Sequence, residues 1–220
     1  MARIPDEVAV PERGLVLRRW SEGHLEQLRA SVSSSLPELH LWMPWAVEDP
    51  VGASQREFLR GARAGFDMET DMGFGLFEEA SGELVGGFGL HDRRGPGVLE
   101  IGYWVRSDRT RRGYGTATAL ALTDAAFACF SEVHRVEIHC DVANHASAAI
   151  PRKLGYRLWG TDEREILAPG QTGHHLIWAV TRDEWTARSA TRPAAASTAA
   201  AAAPTGVPAV GGAASAVPPQ

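Results

Sequence analysis

Short apolar runs bounded by turn residues dominate the first half of the chain. Those with the length and composition of β-strands cover residues 15–18, 74–77, 84–90 and 99–105. Turns at 80–83 and 95–97 join the last three runs and predict an antiparallel meander. Between the first run and the meander, apolar side chains recur at helical spacing after Ser21 and again over 54–64, which predicts two helices.

Helices and strands alternate in the second half of the chain. Ala119, Leu122, Ala126 and Phe130 lie at helical spacing and predict a long helix over about 116–130. We then predict a strand, a short helix and two strands, over 136–140, 147–154, 156–166 and 176–180. A long helix between two strands favours one parallel pair. The pattern therefore predicts an α+β fold with a mixed, mostly antiparallel sheet of about seven strands.

The composition indicates one globular domain with a polar start and a low-complexity end. Of the 220 residues, 44% are hydrophobic, which is enough for one sizeable core. Residues 1–12 are polar and contain proline, so we expect a flexible N-terminus before a domain over 13–188. Residues 189–220 consist mainly of Ala, Pro, Gly, Ser and Val, which predicts a disordered tail. The prolines that interrupt its alanines argue against a membrane anchor.

The charge and the Cys and His residues exclude several classes of function. A formal net charge of -5 argues against direct binding of nucleic acid, which normally requires clustered Lys and Arg. Cys129 and Cys140 lack the spacing of zinc ligands, and the histidines are not arranged as metal ligands either. The N-terminus lacks the apolar segment of a secretory signal. We therefore expect a cytoplasmic protein without a metal and without a membrane partner.

The segment that indicates chemistry lies between the strand at 99–105 and the long helix. It reads Arg-Arg-Gly-Tyr-Gly-Thr-Ala over residues 111–117. Glycines at a helix start expose backbone N–H groups at the positive end of the helix dipole, which binds phosphate or diphosphate. The P-loop pattern is absent, and Thr118 occupies the third glycine position of the dinucleotide fingerprint. A tight turn into a packed helix and a nucleotide-phosphate site remain alternatives.

In context, this segment resembles the coenzyme A signature of the GCN5-related N-acetyltransferases (GNAT), Gln/Arg-x-x-Gly-x-Gly/Ala. Three further segments follow the order of the RimJ/RimL branch, which acetylates protein N-termini and related amines: 41–45, 100–104, and Asn144-x-x-Ser147 leading to 153–156. The resemblance covers about 15–180 and implies a GNAT fold, with helices on both faces of the sheet and acetyl-CoA as co-substrate. Thr110 replaces the first signature residue, and Pro151 stands where many members have a Tyr general acid.

The resemblance implies a role for each candidate residue. Those expected to bind the cofactor are Trp104, Val105, Arg111, Arg112, Gly113, Tyr114, Gly115, Thr116, Ala117 and Asn144. Those expected to line the acceptor site are Trp42, Trp45 and Tyr103. Glu100 is the candidate base, acting through a water, and Ser147 the candidate donor to the departing thiolate. The alternatives are strand packing for Tyr103 or Trp104, hydrophobic core for Trp42 and Trp45, helix capping for Asn144 and Ser147, and a solvated carboxylate for Glu100.

The function implied is transfer of an acetyl group from acetyl-CoA to a primary amine, by direct attack in a ternary complex. A protein N-terminal α-amine is the first expected acceptor and a small-molecule amine the second. A CoA-binding module without catalysis is the alternative from a different class. The sequence leaves the oligomeric state open, a homodimer included.

Overall fold

The computed structural model describes residues 3–47 and 53–191. Its strands are β1 (Glu7–Val10), β2 (Leu15–Arg19), β3 (Asp71–Glu78), β4 (Leu84–His91), β5 (Val98–Val105), β6 (Arg135–Asp141), β7 (Arg157–Glu163) and β8 (His174–Thr181). Its helices are α1 (Leu25–Ser33), α2 (Leu36–His40), α3 (Ala53–Asp67), α4 (Tyr114–Cys129), α5 (His145–Leu154) and α6 (Arg182–Ser189).

All eight strands form one sheet in the order β1-β2-β3-β4-β5-β6-β8-β7. Strands β5 and β6 pair in parallel, and every other neighbouring pair is antiparallel. Helix α4 is the crossover between the parallel strands, as a parallel pair requires. The α+β prediction is confirmed, with eight strands where the sequence indicated about seven.

The additional strand is β1, in the segment that the sequence analysis assigned to a flexible N-terminus. It pairs antiparallel with β2, and it buries Val10 while Ile4, just before it, is also buried. Burial of these side chains against the main core stabilises the segment, although polar neighbours hide the pattern in the sequence. The folded domain therefore begins well before residue 13.

Helix α6 closes the domain at its other end. Thr181 accepts a hydrogen bond from the Glu184 N–H, and the Glu184 side chain accepts one from the Thr181 N–H, which forms a capping box. The helix buries Trp185 against Tyr156. Residues 192–220, most of the predicted tail, lie outside the described residues.

Two apolar clusters hold helices to opposite faces of the sheet. On one face, Ala119, Leu122 and Ala126 of α4 pack against β-strand residues such as Ile101 and Ile138. On the other face, side chains from α1, α2 and α3 join strand residues, and this cluster contains Leu28, Val32, Leu39, Leu59, Val16, Phe77 and Leu84. Because consecutive strand residues point to opposite faces, strands β2 to β5 contribute to both clusters.

Candidate active site

The sheet opens between β5 and β6. The two strands pair only through Val98–Arg135, Leu99–Val136 and Glu100–Glu137. Beyond Glu100, β5 continues for residues 101–105 alongside β4 alone, and β6 continues alongside β8. Main-chain groups of β5 therefore border a wedge-shaped opening that is narrow at Glu100 and wide at Val105. The sequence did not predict where the pairing ends.

The N-terminus of α4 lies at the wide end of this opening. Gly113 adopts a left-handed conformation, with φ of 80°, and is the N-cap of the helix. The first helical hydrogen bond runs from the Ala117 N–H to the Gly113 C=O, and no side chain caps the helix. Within residues 3–47 and 53–191, no acceptor is bonded to the amides of 113–116. These donors and the helix dipole form a site for a diphosphate.

The basic residues around this helix start divide into two groups. Arg106 and Arg109 are held by ion pairs with Glu83, Asp108 and, for Arg109, Glu78. They hold the loop in place and are not available to a ligand. Arg111, which has a positive φ of 60°, and Arg112 are exposed beside the helix start.

Arg13 is a third basic residue at this position, and the sequence analysis missed it. Its guanidinium lies against Gly113, where an added Cβ would come within 2.9 Å of Arg13 Nη2. Arg13 comes from the turn between β1 and β2, about a hundred residues earlier in the chain. Only the pairing of these strands in the sheet brings it to the start of α4.

Gly113 and Gly115 serve different purposes. The positive φ of Gly113 is unfavourable for other L residues, so glycine is needed to turn the chain into α4. A Cβ on Gly115 would lie 2.7 Å from Ile150 Cδ1 in α5, so this glycine allows α4 and α5 to approach each other. The Tyr114 hydroxyl donates to Glu78 at 2.8 Å, so the Tyr114 side chain is engaged with the protein. Tyr114 can therefore contact a ligand through its main chain.

One wall of the opening carries a pair of hydroxyl groups. The Tyr103 hydroxyl donates to the Ser147 C=O at 3.2 Å and lies 3.0 Å from Ser147 Oγ. Burial raises the pKa of Tyr103, so its hydroxyl stays protonated at neutral pH. Tyr103 thus lies on the α4 and α5 side of the sheet, away from the acceptor residues with which the sequence analysis grouped it.

Asn144 fixes the position of Ser147. Its Oδ1 accepts a hydrogen bond from the Ser147 N–H at 3.0 Å and caps α5, the alternative that the sequence left open. Among the residues described, none accepts a hydrogen bond from Asn144 Nδ2. Ser147 lies in the first turn of α5, where the helix dipole favours negative charge.

Cys140 lies close to Ser147 but has the properties of a core residue. It is buried in the main apolar cluster, and burial raises the pKa of its thiol, which disfavours the reactive thiolate. His139 and Asp141 are its neighbours in β6 and point to the opposite face. These three side chains therefore do not form a nucleophilic triad.

Glu100 lies at the narrow end of the opening, and its environment does not suit the predicted base. Arg93 Nη2 lies 2.5 Å from one carboxylate oxygen, and Arg94 Nε contacts the other. Burial alone would raise the pKa of Glu100, but hydrogen bonding and charge from Arg93, with further charge from His139 and Arg94, lower it to about 2. Such a carboxylate is a weak proton acceptor at neutral pH. We therefore withdraw Glu100 as the base.

Aromatic residues line the other face of the opening. Trp104 points away from Tyr103, and its ring packs edge-on against Trp45 with centroids 6.2 Å apart. Trp45 remains 49% exposed, and Trp42 is half-buried nearby in the chain. The structure brings Trp45 to the β5 side of the opening.

A loop between β7 and β8 is tied to this aromatic segment. Gln171 Nε2 donates to the Trp42 C=O at 3.0 Å, and the Gly170 N–H donates to the Leu41 C=O at 2.8 Å. The same loop is fixed to the end of β6, where Asp141 accepts hydrogen bonds from the Thr172 N–H and hydroxyl. The segment at 41–47 and the loop at 164–173 therefore form a continuous rim.

The described residues offer neither a metal site nor a membrane-spanning helix. Within 3–47 and 53–191, no group of three or more His, Cys, Asp or Glu side chains is arranged to hold a metal ion. None of the helices in these ranges has the length and apolar character needed to cross a membrane.

Solved structures share this architecture. RimJ from Mycobacterium smegmatis, in complex with CoA-disulfide, is 26% identical with a TM-score of 0.72, covering 82% of this chain and 89% of its own. RimL, a ribosomal L7/L12 α-N-protein acetyltransferase in complex with coenzyme A, is 21% identical with a TM-score of 0.72, covering 81% and 99%. The microcin C7 self immunity acetyltransferase MccE, in complex with acetyl-CoA and AMP, is 16% identical with a TM-score of 0.73, covering 80% and 97%. Because RimL and MccE are only 21% and 16% identical to this chain, their similarity shows the shared fold alone.

The sequence itself matches a family. No curated protein matches the chain. Residues 14–157 match the family model described as the acetyltransferase (GNAT) domain. Since this match spans more than half of the chain and the fold agrees with it, the protein belongs to the GNAT family of acetyltransferases and is an acyltransferase.

Proposed function

We propose that the protein transfers the acetyl group of acetyl-CoA to the α-amine of a protein N-terminus. The observation that carries this proposal is the opening between β5 and β6, with the unbonded amides of α4 at its wide end. Binding of acetyl-CoA requires both features, because its diphosphate would lie at the helix amides and its thioester inside the opening. A tight turn into a packed helix would require neither.

We place acetyl-CoA along the opening, in contact with the following residues. The amides of 113–116 and the side chains of Arg13, Arg111 and Arg112 would hold the diphosphate. The main chain of Trp104 and Val105 would pair with the pantetheine arm like an added strand, and Asn144 Nδ2 would donate to it from the opposite side. With the diphosphate at the wide end, the pantetheine arm runs along β5 and brings the thioester towards the narrow end. There a β5 amide would stabilise the oxyanion.

The hydroxyl pair supplies the proton for the leaving group. As the amine nitrogen forms its bond to the acetyl carbon, the C–S bond breaks and the CoA thiolate takes the proton of Ser147 Oγ. The Tyr103 hydroxyl, 3.0 Å from that oxygen, replaces this proton and is itself reprotonated from water. The attacking amine releases one proton, so the net products are the amide and the CoA thiol. The position of Ser147 in the first turn of α5 also stabilises the departing negative charge.

Protonation of the acceptor favours an α-amine over a lysine. A protein α-amine, with a pKa of about 7.7 to 8.0, is tens of per cent neutral at physiological pH. A lysine side chain, with a pKa of about 10.4, is neutral in roughly one molecule in a thousand, a cost of about 4 kcal/mol. The exposed aromatic rim at 41–47 offers a peptide chain an apolar surface beside the opening. The same kind of acceptor is named for RimL, a ribosomal L7/L12 α-N-protein acetyltransferase that shares the fold.

The acceptor is tested by measuring CoA release with a thiol reagent. We expect the full chain to release CoA with peptides that have a free α-amine, and not with the same peptides blocked at the N-terminus but containing a lysine. Release with small amines alone would refute the protein acceptor. Acetyl-CoA binding without amine-dependent release would indicate a silent CoA-binding module.

The cofactor is tested separately by calorimetry with CoA, ATP and NAD. We expect CoA to bind more tightly than either nucleotide, because only CoA has an arm that can occupy the opening. Gly113→Val should weaken CoA binding, since the backbone there has a positive φ and the new side chain would displace Arg13. Equal affinity for the three ligands would contradict the placement of the arm.

A further inference from the structure

Several ionisable side chains meet at the narrow end of the opening, on the face opposite Tyr103. Glu100 is in register with Glu137 of β6 on one side and with His91 of β4 on the other. His139 lies two residues after Glu137 in β6, so all four side chains share this face of the sheet. Asp141 and His175 lie farther along β6 and β8 on the same face, in register with each other and 3.9 Å apart. The four side chains at the narrow end are therefore the nearest candidates to take a proton from an amine there.

Three of the four are occupied by other protein groups. Glu100 is held by Arg93 and Arg94. Arg135 Nε lies 2.7 Å from one oxygen of Glu137, and His139 Nε2 lies 2.7 Å from the other. The Nδ1 of His139 lies 2.5 Å from Arg164 Nη2, so both of its ring nitrogens are engaged. None of these groups is well placed to accept another proton.

His91 is arranged differently. Its Nδ1 lies 2.8 Å from Asp71 Oδ1, on the neighbouring strand β3, in a charge contact that does not have the geometry of a hydrogen bond. Its Nε2 lies above two glycines, because a Cβ added to Gly89 or to Gly102 would come 2.9 Å from that atom. Within the part of the chain that the structure describes, Nε2 has no hydrogen-bond partner.

The Nε2 atom of His91 lies close to the place where the proposed reaction would occur. Gly102 is the second residue of β5 beyond the last pair with β6, so Nε2 lies where the opening begins. Under the proposed function, the thioester end of acetyl-CoA reaches this part of β5. The Tyr103 and Ser147 hydroxyls lie on the α4 side, so the amine would approach from the opposite side, where His91 lies.

We propose that His91 Nε2 accepts the proton that the acceptor amine loses as it attacks the thioester, and that Asp71 is a positioning residue that orients the ring. This inference rests on the proposed function. The nitrogen forms its bond to the acetyl carbon, its proton passes to Nε2, and the C–S electron pair leaves on the thiolate, which Ser147 protonates. Ser147 regains its proton from water through the Tyr103 hydroxyl. Bulk water then removes the proton from His91, whose side chain is 18% exposed.

The charged groups around His91 are consistent with this role. Asp71 faces it from β3 and Glu100 from β5, while Arg93 follows it in the chain. Burial would raise the pKa of Asp71, but contact with His91 and the charge of Arg93 lower it below its usual value. Asp71 is therefore ionised at neutral pH and stabilises the imidazolium during the transfer.

The test compares His91→Ala with the wild-type chain, using acetyl-CoA and a peptide with a free α-amine. We expect kcat to fall by roughly 10²-fold to 10³-fold, the usual range for a general base, with the affinity for acetyl-CoA unchanged. Removal of the ring leaves space above the two glycines, so imidazole added to the buffer should restore part of the rate. More basic imidazoles should restore more.

The matched control is His134→Ala, an exposed histidine just before β6. Its rate should stay within twofold of wild type, with no response to imidazole. If His91→Ala fails to fold, Gly89→Ala replaces it, because the new methyl group would displace the ring from the β4 side without entering the opening.

The outcomes separate the inference from the proposed function. Wild-type chain that acetylates no amine would overturn the proposed function. An active wild type with an unaffected His91→Ala variant, or a loss of rate that imidazole does not restore, would overturn the inference alone and leave the ring with a packing role. Asp71→Asn should lower kcat less than His91→Ala does and should not respond to imidazole, since the ring remains in place.

Discussion

The Tyr103 hydroxyl lies 3.0 Å from Ser147 Oγ and joins β5, which borders the opening, to the first turn of α5. Under the proposed function this contact carries the proton to the leaving thiolate. Ser147→Ala should therefore lower kcat by roughly 10²-fold, the lower end of the range for general acid catalysis. Tyr103→Phe should lower kcat less, because Ser147 keeps its own proton. Steady-state kinetics with a peptide acceptor measures both variants.

Binding experiments distinguish this role from simple packing. The dissociation constant of CoA should change less than threefold in either variant, because the proposed cofactor contacts are made by other residues. Ser131→Ala, at an exposed position, provides the matched control and should keep the wild-type rate. Full activity in Ser147→Ala would show that the thiolate leaves without this donor.

Glu100 should contribute to stability. Its folded pKa of about 2 lies below the ordinary value of 4.5, so its stabilising effect is fully present above pH 4.5 and is lost as the pH falls towards 2. Glu100→Gln should lower the free energy of unfolding at pH 7 by on the order of 3 kcal/mol, since it also leaves Arg93 and Arg94 without their partner. Urea unfolding at several pH values measures the difference.

The pH dependence is the decisive part of this experiment. The gap between wild type and Glu100→Gln should shrink steadily between pH 4.5 and pH 3. Glu57→Gln, which changes an exposed carboxylate on α3, should show almost no gap at any pH. A constant gap across this range would mean that the effect of Glu100→Gln comes from packing. If the turnover of Glu100→Gln fell below that of wild type, and most strongly at acid pH, Glu100 would be restored as a base.

Arg13 is expected to bind the diphosphate of CoA together with the start of α4. Arg13→Ala should weaken CoA binding by roughly threefold to tenfold, the effect of one partly screened charge. It should not change the binding of pantetheine, which lacks the diphosphate. Calorimetry at low and high salt measures both, and the loss for CoA should be smaller at high salt. Arg56→Ala, an exposed arginine of α3, serves as the control. An equal loss for pantetheine would contradict the placement of Arg13.

The sequence predicted those parts of the fold that depend on local patterns. The meander, the long helix α4 and the parallel pair follow from apolar spacing and turn residues, and the structure confirms them. Strand β1 and helix α6 were missed. Their apolar residues are few, such as Val10 and Trp185, and become buried only against distant segments. The capping box at Thr181 and Glu184 was a local signal for α6 that the analysis did not use.

The site was predictable where main-chain geometry determines it and not where side chains from distant strands meet. The glycine segment indicated a helix start at about residue 116, and the structure begins α4 at Tyr114, directly after Gly113. The pairing of Glu100 with Arg93 and Arg94, and the placement of His91 over Gly102, depend on sheet register and on the conformation of the β4–β5 turn. Sequence spacing shows which residues alternate between faces, but it does not show which charges neutralise one another.

Trp45 is expected to bind the acceptor peptide. Its ring packs against Trp104 at the edge of the opening and is 49% exposed, so it offers apolar surface beside the reaction site. Trp45→Ala should raise the KM of a peptide acceptor by roughly tenfold, the effect of losing about 1.4 kcal/mol of contact, and leave the affinity for acetyl-CoA unchanged. Trp159→Ala, which removes a ring that is 46% exposed on β7, is the matched control and should leave both values unchanged. If Trp45→Ala changed the affinity for acetyl-CoA and not the KM of the peptide, Trp45 would support the β5 main chain and the acceptor would bind elsewhere.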